Sequence, residues 1–197
     1  MLGAVCSLTL AHAQVPACGA LKNGFGPFDY ITDKDKLPIV EQHHFTPEVE
    51  MLLKGHTSVA IGSDLDYTLR AFPNHHRALL AMGRLGARLR TPQPAGAAYT
   101  VACYFERALR FRPQDTTARL LYAHYLFQSQ RRQDALEQMD VAAQEAADNP
   151  FTHYNMGLMY VENQLYEQAR EHAHKAYDLG FTQPGLREQL ERLGHWP

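Results

Sequence analysis

From Thr46 onward, apolar residues fall at helical spacing, and before it they show no such period. Between Asp115 and Gly180 the pattern also repeats. Ala123 and Gly157, Ala135 and Ala169, and Ala142 and Ala176 each stand 34 positions apart. In both copies a small residue within an apolar helix is followed 12 positions later by alanine, and 7 after that by alanine again. A period of 34 with this pattern predicts stacked helix–turn–helix units. Small residues let helix pairs approach, and large ones fill the gaps between them.

Helix punctuation extends the reading in both directions. Thr46 predicts an N-cap, with Pro47 in the first turn and a helix ending at Gly55. Ser63-Asp64-Leu65-Asp66 predicts the start of another, running to Pro73. Asn74 or His75 then caps a third helix through Gly83. Ala108 lies 34 before Ala142, but Gly83 lies 25 before Ala108 where the later copies have 19. Six extra residues, Thr91 to Gly96, therefore form a proline-marked exposed loop between two helices. Pro184 predicts a last helix, with Leu186, Leu190 and Leu193 on its apolar stripe and Gly194 after it.

Three stretches carry a family resemblance. The last reads His153-x2-Met156-Gly157-x2-Tyr160, then Ala169-x3-Ala173 and Ala176. The middle reads Arg119-x2-Tyr122-Ala123-x2-Leu126, then Ala135-x3-Met139 and Pro150. The first reads Leu79-x2-Met82-Gly83, then Val101-x3-Phe105 and Pro113. This resembles the tetratricopeptide repeat family over about residues 63–180, with the opening tryptophan absent from all three copies. Gly24 to Leu80 also resembles the front of bacterial exported repeat proteins of unknown role, and it brings no chemistry with it. The fold expected is all-α: a helix–turn–helix solenoid of about three units, near 75–113, 115–148 and 150–183. A capping helix at 184–193 completes a domain spanning 46–197. Residues 14–45, broken by Gly24, Gly26, Pro27 and Pro38 yet rich in Phe25, Phe28 and Tyr30, are expected to lie extended on that domain.

Composition changes little. With 197 residues and a net charge of −2, the chain shows no basic footprint for nucleic acid. No apolar run is long enough to span a bilayer. Residues 1–13 are uncharged and end in Ala11-His12-Ala13, the small-x-small form of a signal-peptidase site, although the basic start of a signal peptide is missing. The expectation is a periplasmic or secreted protein, with an ordinary apolar N-terminal segment as the alternative. Export would leave two cysteines, Cys18 and Cys103, and an even pair favours a disulfide. Two free thiols, or a lipid anchor on Cys18, are the alternatives.

Chemistry is sparse. The histidine pairs 43–44 and 75–76, and His172 with His174, point in divergent directions on a helix. There is no H-E-x-x-H, C-x-x-C, nucleophile elbow or phosphate loop. The expectation is therefore no enzyme, no cofactor and no metal. The candidate surface is the concave face lined by the first helix of each unit. It would offer Arg77, Leu80, Arg84 and Arg88, then Leu120, His124 and Phe127, then Tyr154, Leu158 and Glu162. The arginine row reads either as a site for an acidic or C-terminal carboxylate of an extended peptide or as a solvated face. Asn155 matches the asparagine of a family carboxylate clamp, but its cationic partners do not, so chaperone-tail binding is not expected. The leading reading is an envelope adaptor whose partner is a protein segment. The alternatives are a structural unit whose groove holds its own residues 19–45, or a metal or ligand site built from His75, His76 and Asp64.

Overall fold

A computed structural model describes residues 18–196, and these contain ten helices and no strand. They are α1 (Leu37–His44), α2 (Pro47–Glu50), α3 (Ile61–Ala71), α4 (His76–Leu89), α5 (Val101–Phe111), α6 (Thr116–Gln128), α7 (Arg132–Ala146), α8 (Pro150–Glu162), α9 (Tyr166–Asp178) and α10 (Gly185–Arg192). The expected signal segment 1–13 lies outside the described residues.

Helices α4, α6 and α8 begin alike. The side chain at the N-cap accepts from the first turn: His75 from the Ala78 amide, Asp115 from the Ala118 amide, and Asn149 from the Phe151 and Thr152 amides. Each cap satisfies amides that the helix leaves without a partner. They also end alike, since Arg90, Gln130 and Gln164 adopt positive φ just beyond the last turn. Short turns then fold α6 onto α7 and α8 onto α9 as helical hairpins. Helix α6 touches both α4 and α8, while α10 packs on α8 and α9.

The core has two main parts. One runs from Phe45, just before α2, to Ala135 on α7, around Leu65, Leu79, Met82, Tyr104 and Phe105. The other spans α6 to α10 around Met139, Met156, Tyr160 and Leu186. Phe127 packs against both. A Cβ on Gly157 would stand 2.4 Å from a methyl of buried Leu186, so this glycine sets how closely α10 approaches α8. Its counterpart Gly83 has no such role, because a Cβ there would meet Phe105 only at 3.8 Å.

The N-terminal segment is pinned to α3, α5 and the start of α4. The Phe28 amide donates to the Ala71 carbonyl (2.8 Å), and the Tyr30 amide donates to Asn74 Oδ1 (3.0 Å). Arg112 pairs with Asp29. Buried Arg107 donates from Nη1 to the carbonyls of Cys18 (3.0 Å) and Ala20 (2.8 Å), and Arg110 donates to that of Gly19. Cys18 and Cys103 form a disulfide across a sequence separation of 85. The bridge favours an oxidising compartment, and no described helix is long and apolar enough to cross a membrane.

Several expectations are corrected. Residues 14–45 are not wholly irregular, because Pro38 sits in the first turn of α1, where its missing amide costs nothing. Helix α2 is a single turn that stops near Met51, with Leu52 at positive φ, so Gly55 does not end it. Thr46 stands at the N-cap of α2 as expected, but its buried Oγ1 makes no capping bond. Helix α3 starts at Ile61, ahead of Ser63. Asp64 turns back instead, accepting from the His56 and Thr57 amides of the preceding loop. Leu193 is exposed, and α10 buries only Leu186 and Leu190. The inserted loop is present and ordered by its own bonds, with the Val101 amide on the Pro92 carbonyl and Gln93 Nε2 on that of Ala97.

One buried pair makes stability pH-dependent. The His153 ring is bonded through Nε2 to the Ala147 carbonyl (3.0 Å) and through Nδ1 to His172 Nδ1 (2.8 Å). Burial, then the neighbouring His153 and Lys175, pull His172 from its ordinary 6.5 down to about 4. As pH falls the unfolded chain takes up this proton first. Stability is thus complete above about pH 6.5 and declines towards about pH 4, with a loss on the order of 2 kcal/mol for a ring with some remaining solvent contact. Urea unfolding across that window should show the decline, and His172→Gln should flatten it.

Candidate interaction surface

A hollow of about 420 Å³ lies along one side of α4, α6 and α8. Its lining follows from helical spacing. Thr117, Leu120, Leu121 and His124 are successive positions on one face of α6, and Thr152, Asn155, Leu158 or Met159, and Glu162 repeat that face on α8. Leu80 closes it from α4, and Asn149 and Phe151 stand at the start of α8. Leucines and Met159 supply an apolar interior, while threonines, asparagines, His124 and Glu162 supply polar positions around it. Phe151 is 65% exposed.

The two titratable groups in the lining sit together. Gln128 donates to His124 Nε2 (2.8 Å), which leaves the proton on Nδ1, 4.0 Å from a Glu162 oxygen. Among the described residues no serine, cysteine or further carboxylate joins them in the lining. Such a surface can accept an apolar side chain and hydrogen-bond an extended backbone. Volumes of this size are ordinary for binding sites.

Five of the ten groove residues expected from sequence line this hollow: Leu80, Leu120, His124, Leu158 and Glu162. Arg84 lines an adjoining hollow that shares Leu80, Leu121 and His124. Arg84 is exposed and makes no ion pair among the described residues. The other four lie elsewhere. Arg77 pairs with Glu50 and, at 3.2 Å, with Glu41. Arg88 donates to the Leu52 carbonyl (2.7 Å). Phe127 is part of the core, and Tyr154 stacks on Phe181 at 4.2 Å. The arginine row is therefore not a free stripe. Helices α1 and α2 and the turn that follows cover part of α4 and engage both of its ends.

Thr117, Leu121, Asn149, Phe151, Thr152 and Met159 were missed. Shifting Thr117, Leu121 and His124 by 34 positions gives Phe151, Asn155 and Leu158, so the 34-residue step in the sequence carried the signal.

The two alternative sites are not assembled. Among the described residues none before Leu80 lines the hollow, and the segment 19–45 lies on α3, α5 and the α4 cap instead. His75 Nε2 faces Glu41 (3.1 Å), His76 Nε2 faces Asp115 (2.9 Å), and Asp64 holds the 56–57 loop and faces His44. The hydrogen bond to His75 draws the Glu41 carboxyl below its usual range, and burial lowers His75 itself. These three residues do not share a ligand.

Comparison with family models, with curated proteins and with solved structures returns no match for this chain.

Proposed function

We propose that this protein is a non-enzymatic scaffold of tetratricopeptide type, working in an oxidising compartment such as the periplasm or the extracellular space. Its hollow along α4, α6 and α8 takes an extended segment of another protein. The observation that carries the reading is the composition of that hollow, whose lining comes from the first helix of three consecutive pairs. Regular spacing supports the repeat. The caps Asp115 and Asn149, and the positive-φ residues Gln130 and Gln164, are 34 apart, and His75 and Arg90 precede their counterparts by 40, the same step plus six inserted residues.

The segment that fits is apolar at one position and acidic beyond it. An apolar side chain enters among Leu120, Leu121 and Leu158, Asn155 holds the backbone, and a carboxylate reaches Arg84. Peptides selected from a display library on the purified protein should bind at least tenfold more weakly to Leu121→Glu or Asn155→Ala, a difference of about 1.4 kcal/mol. Gln168→Ala, an exposed change on α9, should leave binding unaltered. Equal affinity across all three in fluorescence anisotropy would place binding elsewhere.

A further inference from the structure

The Cys18–Cys103 bridge has a third neighbour. Glu106 lies three positions after Cys103 on the same face of α5, and its Oε2 stands 3.0 Å from Cys18 Sγ. Neither sulfur of a disulfide carries a hydrogen, so this approach is a contact and not a hydrogen bond. The two sulfurs and a Glu106 oxygen all lie within 4.8 Å of one another. A tetrahedral zinc ion, with sulfur at about 2.3 Å and oxygen at about 2.0 Å, draws its donors together over a comparable span.

The arrangement does not rest on the covalent bond alone. Arg107 holds the carbonyls of Cys18 and Ala20, and Arg110 holds that of Gly19, so the backbone around Cys18 is fixed on α5 by side-chain hydrogen bonds. Glu106 is exposed and Cys103 is partly exposed, so a thiol reductant and a metal ion can both reach the site. The guanidinium groups of Arg107 and Arg110 on the same helix offset the negative charge that two thiolates and a carboxylate bring together.

We propose that Cys18, Cys103 and Glu106 form a redox-gated site for a thiophilic divalent cation, closed as the disulfide and open once it is reduced. A dithiol reductant supplies two electrons and two protons. The S–S bond breaks, the two thiols form, and the reductant leaves as its own disulfide. Binding of Zn²⁺ then releases both thiol protons to solvent as two S–Zn bonds form, with Glu106 as third ligand and water as fourth.

The test uses the full chain carrying Cys6→Ser, titrated with Co²⁺ as the spectroscopic probe, either oxidised or reduced with a phosphine. The reduced protein should take up one Co²⁺, displaceable by Zn²⁺. Thiolate-to-cobalt charge-transfer absorption and the visible bands of a tetrahedral ion should appear together. The oxidised protein should show neither. Cys18→Ser should abolish the charge-transfer absorption of a two-thiolate site, and Glu106→Gln should weaken Co²⁺ binding at least tenfold while still forming the disulfide. The proposal is overturned by an equal spectrum in the oxidised protein, by no spectrum in the reduced one, or by undiminished affinity in Glu106→Gln. A reduced chain that loses its helical circular dichroism overturns it as well, because the site must be held without the bridge.

Discussion

Cys103→Ser, made in a Cys6→Ser background, is expected to lower the free energy of unfolding by about 4–5 kcal/mol, the largest loss from any single change considered. The bridge closes a loop with a sequence separation of 85. In the chain-entropy account, a loop of that length restricts the unfolded chain by this much. For a domain of this size the melting temperature should fall on the order of 10–15 °C. The native contacts of the N-terminal segment, through Arg107, Arg110 and Arg112, remain in the variant. Its helical content should therefore match the parent at low temperature, and the difference should appear in urea or thermal unfolding. A midpoint unchanged by the substitution would mean that the bridge closes on an already restricted chain.

Asp115→Ala is expected to cost about 3 kcal/mol. The Asp115 carboxylate is buried and accepts from three directions: the Ala118 amide that it caps, Asn74 Nδ2 at 2.9 Å, and His76 Nε2 at 2.9 Å. Burial alone would raise its pKa, but the hydrogen bonds from His76 and the Ala118 amide outweigh burial and hold it below the usual carboxylate range. Removing the carboxylate forfeits a helix cap, worth about 1 kcal/mol, and takes a partner from the buried Asn74 amide and from the partly exposed His76 ring at further cost. Asn74 also donates to Asp29, so the loss reaches the N-terminal segment. Asn149, the N-cap of α8, is exposed, and its partners are backbone amides alone. Asn149→Ala should cost only about 1 kcal/mol. Equal losses from the two caps, measured by urea denaturation, would show that the Asp115 cluster adds nothing beyond capping. The sign with pH is fixed by the depressed pKa. This contribution is present above the ordinary carboxylate value and is lost as pH falls through the lower folded one.

The helices of the repeating region were legible because their signals are local. His75 as a cap depends on residues within one turn, and so does the proline-marked loop at 91–96. The 34-residue step made Ala135 and Ala169 core positions, and both are fully buried. What was not legible depends on residues distant in sequence. Arg77 reads as a free groove cation until Glu41 and Glu50 arrive from α1 and α2. Tyr154 is one position round α8 from the groove, and it leans onto Phe181 because the turn after α9 brings that ring beside it. Asp64 sits in a capping-box pattern, yet the loop at 56–57 folds back and claims its carboxylate. In each case the local pattern allowed two uses, and a tertiary partner chose between them. The disulfide was accessible to cysteine counting, whereas Glu106 beside it was not, because Cys18 reaches α5 only through an irregular segment.

The most direct test of the binding surface is site-specific photocrosslinking in cells that natively produce the protein. A photoreactive phenylalanine analogue at Phe151, exposed at the rim of the hollow, is compared with one at Gln168 on the exposed face of α9. A scaffold working through the hollow gives a discrete protein adduct from position 151 that Leu121→Glu removes, and no such adduct from position 168. An adduct that forms equally from 168, or that survives Leu121→Glu, contradicts it.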